Sequence, residues 1–296
     1  MILSNVLPLP DGRTLGYAEY GDPAGRPVLF FHGTPGSRLT RHADEAIARV
    51  AGARVIAPDR PGYGLSSAQP GRTLLNWPAD VAALANALGF DRFAVIGLSG
   101  GGPYALACAY ALPDRVRAAG VVSGAGPLDR RGAMRGMMLV NRLGLAAARW
   151  GPGWVITRPS ALGYRVIQRR PQLVLRTIAA AMPPADHAVL AKPEVLSISL
   201  ESMTEAFRGG MGGLATDLAV LARPWGFPLA AIRVPVYLWY GDRDVNIPLH
   251  TGRYLARAIP TTRARFYRGQ GHELIHAHWG AILQTVLAED EPPVKA

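Results

Sequence analysis

The residues in this chain that could do chemistry are a serine in a glycine cradle, seven histidines, and aspartates that follow apolar runs. Gly97-Leu98-Ser99-Gly100-Gly101 comes directly after the apolar run Phe93-Ala94-Val95-Ile96, and a helix-forming segment with Pro103 in its first turn follows at once. This is G-x-S-x-G in a strand–turn–helix setting, where a tight turn lifts the serine Oγ above the sheet edge. Positions two before and two after the serine must be small, because side chains there would collide within the turn. Gly97 and Gly101 meet that demand. A nucleophilic hydroxyl needs a base, and the base needs an orienting acid. His272 follows the strand-like run Arg265-Phe266-Tyr267 and the short loop Arg268-Gly269-Gln270-Gly271, and it precedes the last helical pattern. Open α/β sheets place their sites beyond the carboxyl ends of parallel strands, so His272 is the expected base. His276 and His278 fall inside that helix and read as surface or packing residues. His250 begins another helix, which it caps or whose mouth it lines, and His42 and His187 have no strand-end placement.

Two aspartates compete for the acid in Gly241-Asp242-Arg243-Asp244-Val245-Asn246. Asp242 follows the turn glycine and has a backbone-bonding role open to it. Asp244 sits farther out, within reach of His272, and is preferred; Asp129 is a more distant third. For the negative charge of an acyl-transfer intermediate, Phe31-His32-Gly33-Thr34-Pro35-Gly36 ends another strand. The backbone N–H groups of Thr34 and Gly100 would be the oxyanion donors. His32 reads as a loop-fixing residue, and Ser66 lacks the turn setting of a nucleophile.

These residues have to be positioned by a sheet. The runs Val28-Leu29-Phe30-Phe31, Arg54-Val55-Ile56-Ala57, Phe93-Ala94-Val95-Ile96 and Ala119-Gly120-Val121-Val122 are short and continuously apolar, as strands buried on both faces are. Between them, Val81, Leu84, Ala85 and Leu88 keep helical spacing, with Gly89 as a stop. The alternation predicts an α/β fold with a parallel sheet and helices on both faces. Leu9-Pro10-Asp11-Gly12-Arg13 reads as the turn of an antiparallel hairpin at one edge. The alternation stops at Gly126-Pro127 and resumes with Val234-Pro235-Val236-Tyr237-Leu238-Trp239-Tyr240. The expected organisation is a core of residues 1–126 and 231–296 interrupted by a helical cap over 127–230. That stretch is too long for a loop.

With 49% apolar and 18% charged residues in 296, the chain reads as globular and able to bury about three quarters of its unfolded surface. Cys108 is the only cysteine, which excludes a disulfide scaffold and a cysteine zinc site and reads as a packing residue. The net charge of +11 is almost wholly arginine, Lys192 and Lys295 being the only lysines. Arginine pairs are scattered without a basic stripe, so the expectation is a solvated arginine-rich surface and no nucleic-acid partner. No apolar run approaches the roughly eighteen residues of a membrane span, and Met1-Ile2-Leu3-Ser4-Asn5 has no signal-peptide character. The default expectation is a cytoplasmic protein with a small-molecule substrate. Oligomeric state is not legible.

Taken together, the His32-Gly33-Thr34-Pro35-Gly36 string, Asp59-Arg60-Pro61-Gly62-Tyr63-Gly64-Leu65-Ser66, the Ser99 turn, the Asp244 loop and Gly271-His272 resemble the α/β-hydrolase superfamily in content and order. The resemblance implies an eight-stranded, mostly parallel sheet with an antiparallel first hairpin. It also implies a cap inserted before the acid-bearing strand, and no metal or organic cofactor. Soluble epoxide hydrolases and haloalkane dehalogenases of this fold use an aspartate nucleophile, whereas this turn carries Ser99. The oxyanion string also resembles proline iminopeptidases, which typically have tryptophan after the nucleophile and acidic cap residues for a substrate amine. Gly100 departs from that pattern, and Glu201, Glu205 and Asp217 read as residues of solvated helix faces. The cap is rich in Met134, Met137, Met138, Trp150, Trp154, Phe207, Trp225 and Phe227. Most should pack, and some should line an apolar cleft suited to an uncharged hydrophobic ester. The leading expectation is therefore a serine esterase. Peptide or amide cleavage, acyl transfer, and ligand binding without hydrolysis remain as alternatives.

Overall fold

Alternation along the central strands decides which residues build which layer. In β3 (Arg26–Phe31), Leu29 and Phe31 join one hydrophobic cluster while Val28 and Phe30 join another. In β5 (Phe93–Leu98), Phe93 and Val95 take the first side, Ala94 and Ile96 the second. Period-two side chains that are apolar on both faces require a helical cover on each side. The helices Trp77–Ala87, Gly102–Ala111 and Leu249–Ala258 supply residues to the first cluster, and Ile275–Leu287 to the second. Cys108 is buried in the first cluster.

A computed structural model describes residues 1–150 and 166–288. Its remaining strands are β1 (Ile2–Pro8), β2 (Thr14–Gly21), β4 (Ala53–Pro58), β6 (Val116–Val122), β7 (Val236–Gly241) and β8 (Thr262–Tyr267). They form one eight-stranded sheet in the order β1-β2-β4-β3-β5-β6-β7-β8. Only β2 runs against the rest, pairing antiparallel with both β1 and β4. Gly12, in the β1–β2 turn, has φ +83°, a conformation open to glycine at no steric cost.

Between β6 and β7 the described residues are helical, with Leu139–Trp150, Pro171–Ala180, Pro184–Leu190, Pro193–Ala206 and Gly212–Ala222. Of the aromatic and methionine residues expected there, Met137, Phe207, Trp225 and Phe227 are buried in packing clusters. Trp150 is exposed, and Trp154 lies outside the described residues. Among the described residues no helix is long and apolar enough to cross a membrane.

Trp279 anchors the second layer, meeting Phe30 edge-on with ring centroids 5.4 Å apart. Trp279→Ala should destabilise the protein by about 3–5 kcal/mol, measured as a lowered denaturant midpoint.

Candidate active site

The chain turns from β5 into the helix Gly102–Ala111 through one turn of 3₁₀ helix, Ser99–Gly101. Ser99 has φ +53°, one of two non-glycine residues with left-handed backbone among those described. Such a conformation costs a serine about 1–3 kcal/mol and persists only where the surroundings enforce it. Here they do so through missing side chains. A Cβ on Gly97 would collide with the Gly101 carbonyl, and one on Gly101 with the carbonyls of Phe31 and His32. A Cβ on Gly100 would strike the Thr34 side chain. The turn therefore closes on itself and against the end of β3, leaving Ser99 partly exposed at the carboxyl edge of the sheet.

On the neighbouring strand ends, Asp244 and His272 form a buried pair, with His272 Nδ1 2.8 Å from Asp244 Oδ2. The other Asp244 oxygen, Oδ1, accepts the N–H groups of Asn246 and Ile247, each at 2.8 Å. With the carboxylate fixed from behind, the neutral imidazole keeps its proton on Nδ1 and a lone pair on Nε2, the form a general base requires. Burial alone would depress the imidazole pKa. Asp244 outweighs it, with Glu273 and Asp186 adding to the effect, and His272 is held up at about 9. Asp242 does not reach the histidine; its Oδ1 accepts the Gly269 N–H at 2.7 Å. Asp129 is exposed.

No hydrogen bond joins the Ser99 hydroxyl to His272 among the described residues, a link that unliganded sites commonly complete only with substrate. Their backbones are tied instead through the residues after β6. Ser123 Oγ donates to the His272 carbonyl at 3.1 Å, and the Ala125 N–H donates to the Ser99 carbonyl at 2.9 Å. Ser123 is the second left-handed non-glycine, with φ +45°, and is fully buried. Sequence reasoning did not single it out.

The remaining histidines lie elsewhere. His32 is buried beneath the candidate oxyanion loop, its Nδ1 2.8 Å from the Gly33 carbonyl and its Nε2 accepting the Arg60 N–H at 3.2 Å. Burial, reinforced by Arg60, pushes its pKa well below the ordinary imidazole value, so it stays neutral and holds the loop. His250 Nε2 bonds the Ala133 carbonyl, His42 bonds the His276 carbonyl, and His278 stacks on Tyr267.

The electrostatics around Thr34 depart from the sequence expectation. Asp217, placed there on a solvated helix face, is fully buried under the candidate oxyanion loop. Its Oδ2 accepts Arg60 at 2.6 and 3.0 Å and the Thr34 hydroxyl at 2.7 Å; its Oδ1 accepts Arg72 and the Tyr104 hydroxyl. Arg60 also donates to the carbonyls of His32 and Gly33, so the same ion pair braces both sides of the loop. Burial alone would raise the Asp217 pKa, yet Arg60 and Arg72 hold it far below the usual carboxylate range. Glu205 and Glu201 are likewise engaged, with Arg38 at 2.7 Å and Arg41 at 2.8 Å. Arg38, Arg60 and Arg72 are all buried, so this part of the arginine complement is internal rather than solvated. The available signal was Asp217 standing alone in the apolar run Leu214-Ala215-Thr216-Asp217-Leu218-Ala219-Val220-Leu221-Ala222.

Comparison with known proteins agrees with this architecture. Residues 26–144 match the family described as alpha/beta hydrolase fold. A non-heme chloroperoxidase of Streptomyces lividans is 40% identical over 121 residues, which cover 40% of this chain and 44% of that protein. A proline iminopeptidase of Xylella fastidiosa is 34% identical over 119 residues, covering 37% and 36%. The matched stretch thus spans less than half the length of these curated relatives. The crystal structure of a hydrolase from Pseudomonas aeruginosa PA01 superposes with TM-score 0.71 at 19% identity, covering 98% of both chains.

Asp217→Asn strands two buried guanidinium groups and should cost about 3–5 kcal/mol of unfolding free energy at neutral pH. Because the folded pKa is depressed, the stabilisation is present above about pH 4 and lost as pH falls further. The gap between wild type and variant in denaturant titrations should therefore narrow in acid.

Proposed function

We propose that the chain, whose residues 26–144 match the alpha/beta hydrolase fold family, is a serine hydrolase of carboxylic esters working through an acyl-enzyme on Ser99. The observation that carries the reading is the buried His272–Asp244 pair at the same sheet edge as a serine held at φ +53°. Ser99 Oγ attacks the ester carbonyl carbon while His272 Nε2 takes its proton. Asp244 remains ionised and stabilises the imidazolium. The N–H groups of Thr34 and Gly100 donate to the oxyanion, each worth about 3 kcal/mol in such sites. Collapse breaks the carbon–oxygen bond to the alcohol, which leaves with the proton from Nε2. Water then attacks the acyl-enzyme by the same steps in reverse roles and releases the acid.

The helical insertion serves in this reading as the cap over the site. Its acids bear on substrate class. Capture of a substrate amine needs a free carboxylate, and Glu201, Glu205 and Asp217 are each already paired with arginine. That favours an uncharged acyl group over the amino terminus of a peptide. Comparing a short-chain chromogenic ester with an aminoacyl arylamide tests the choice, with faster turnover of the ester expected.

Ser99→Ala should lower kcat on that ester by at least about 10⁴-fold with the fold retained, and should abolish the covalent adduct that a fluorophosphonate forms with wild type. Undiminished turnover would remove Ser99 as nucleophile. Since the base must be unprotonated and His272 is held up at about 9, kcat/KM should climb with pH along a limb lying above 6.5.

A further inference from the structure

Pro183-Pro184 starts the insertion helix Pro184–Leu190, and Asp186 lies in its first turn. Its carboxylate is not on the insertion's own surface. It is buried to 1% exposure against the turn that carries His272, 86 residues away in the chain. Oδ2 accepts the His272 N–H at 2.9 Å, and Oδ1 accepts the Glu273 N–H at 2.8 Å. Both oxygens are thus occupied by consecutive backbone amides of the residue proposed as base and its successor. A second observation shows that the core makes room for this carboxylate. A Cβ on Gly271 would collide with both Asp186 oxygens, so the glycine before His272 is where the insertion's side chain enters.

We infer that Asp186 is a positioning residue for His272: an insertion-borne carboxylate that clamps the histidine turn through two backbone N–H groups and orients the imidazole toward Ser99. The inference rests on the reading of His272 as general base. Asp244 fixes the ring from Nδ1 but leaves the backbone free to shift along the chain. Asp186 holds that backbone through its N–H groups, with Ser123 holding the His272 carbonyl. Three carboxylates face the histidine: Asp244 from the loop after β7, Asp186 from the insertion, and Glu273 from its own turn, the last paired with His276 at 3.5 Å. Removing the Asp186 charge takes away one contribution that favours the imidazolium, so the histidine should titrate at lower pH.

The experiment compares wild type, Asp186→Asn and Asp186→Ala, each checked for native near-ultraviolet circular dichroism. One readout is an NMR titration of the His272 ring nitrogens; the other is kcat and KM on a chromogenic ester. Asp186→Asn keeps one acceptor and loses the charge and the second acceptor, so it carries the test should the alanine variant fail to fold. The expected result is a His272 titration moved to lower pH, with kcat reduced about ten- to a hundredfold and KM little changed. A folded variant with wild-type titration and wild-type kcat overturns the inference. A fall in KM-governed binding alone, with the titration unmoved, also overturns it, because that is what a packing role would give. The NMR arm needs no substrate. A displaced titration supports the clamp even if wild type turns over no ester, whereas failure of a fluorophosphonate to label wild-type Ser99 counts against the hydrolase reading alone.

Discussion

The chain cannot pass from β5 into its helix unless Gly97 and Gly101 come within contact of each other, and this closeness is the constraint on which the site depends. The same crowding extends outward. Gly101 abuts the end of β3, Gly100 abuts Thr34, and Gly102 packs on Gly124 after β6. Three strand ends converge on one point because three successive residues there, Gly100, Gly101 and Gly102, carry no side chain to hold them apart. The strain at Ser99 follows from that convergence, and so does the nearness of the Thr34 and Gly100 amides. The geometry of the candidate site and the packing of the backbone are here the same fact described twice.

A second constraint comes from charge. Burying a carboxylate is unfavourable unless ion pairs and hydrogen bonds replace its water. Asp217 meets that requirement with two arginines, two tyrosines and a threonine. The arginine surplus that looks in composition like a surface property is partly spent inside, at Arg38, Arg60 and Arg72. Each of these sits between an acid of the helical insertion and the sheet domain's loops. The insertion is separate in topology and joined in energy. Removing Asp217 would leave Arg60 and Arg72 buried without a carboxylate partner, whereas Arg38 would keep Asp59 if Glu205 were removed.

How far the sequence could be read depends on the range of the interaction that carries each feature. Strands and helices were legible because periodicity is local: Val28-Leu29-Phe30-Phe31 declares a two-sided strand without reference to any other segment. The serine turn was legible because its glycine spacing is local too. Asp244, His272 and Thr34 could be singled out because strand ends are places, and the topology puts those places on one edge. Ser123, Asp186 and Asp217 were missed or misassigned, since their partners lie 149, 86 and 157 residues away and no local pattern names those partners. Asp217 shows the difficulty well. A lone acid in an apolar helix signals burial, but nothing nearby in sequence names the arginines that make burial tolerable.

The two buried insertion acids divide the candidate machinery between them. Asp217 lies under the loop that would bind the oxyanion, and Asp186 lies on the turn that bears His272, the proposed base. A rigid lift of the whole insertion would break both attachments at once and expose partners that are otherwise fully enclosed. Helix Leu139–Trp150 is differently placed, with no buried residue along its length. Its displacement would cost far less than that of Gly212–Ala222 or Pro184–Leu190, whose buried carboxylates belong to the core network. Local stability within one insertion thus spans a wide range. The parts held most firmly are those that touch the groups on which acyl transfer would depend, which is where a loss of half an ångström in position would be felt most in rate.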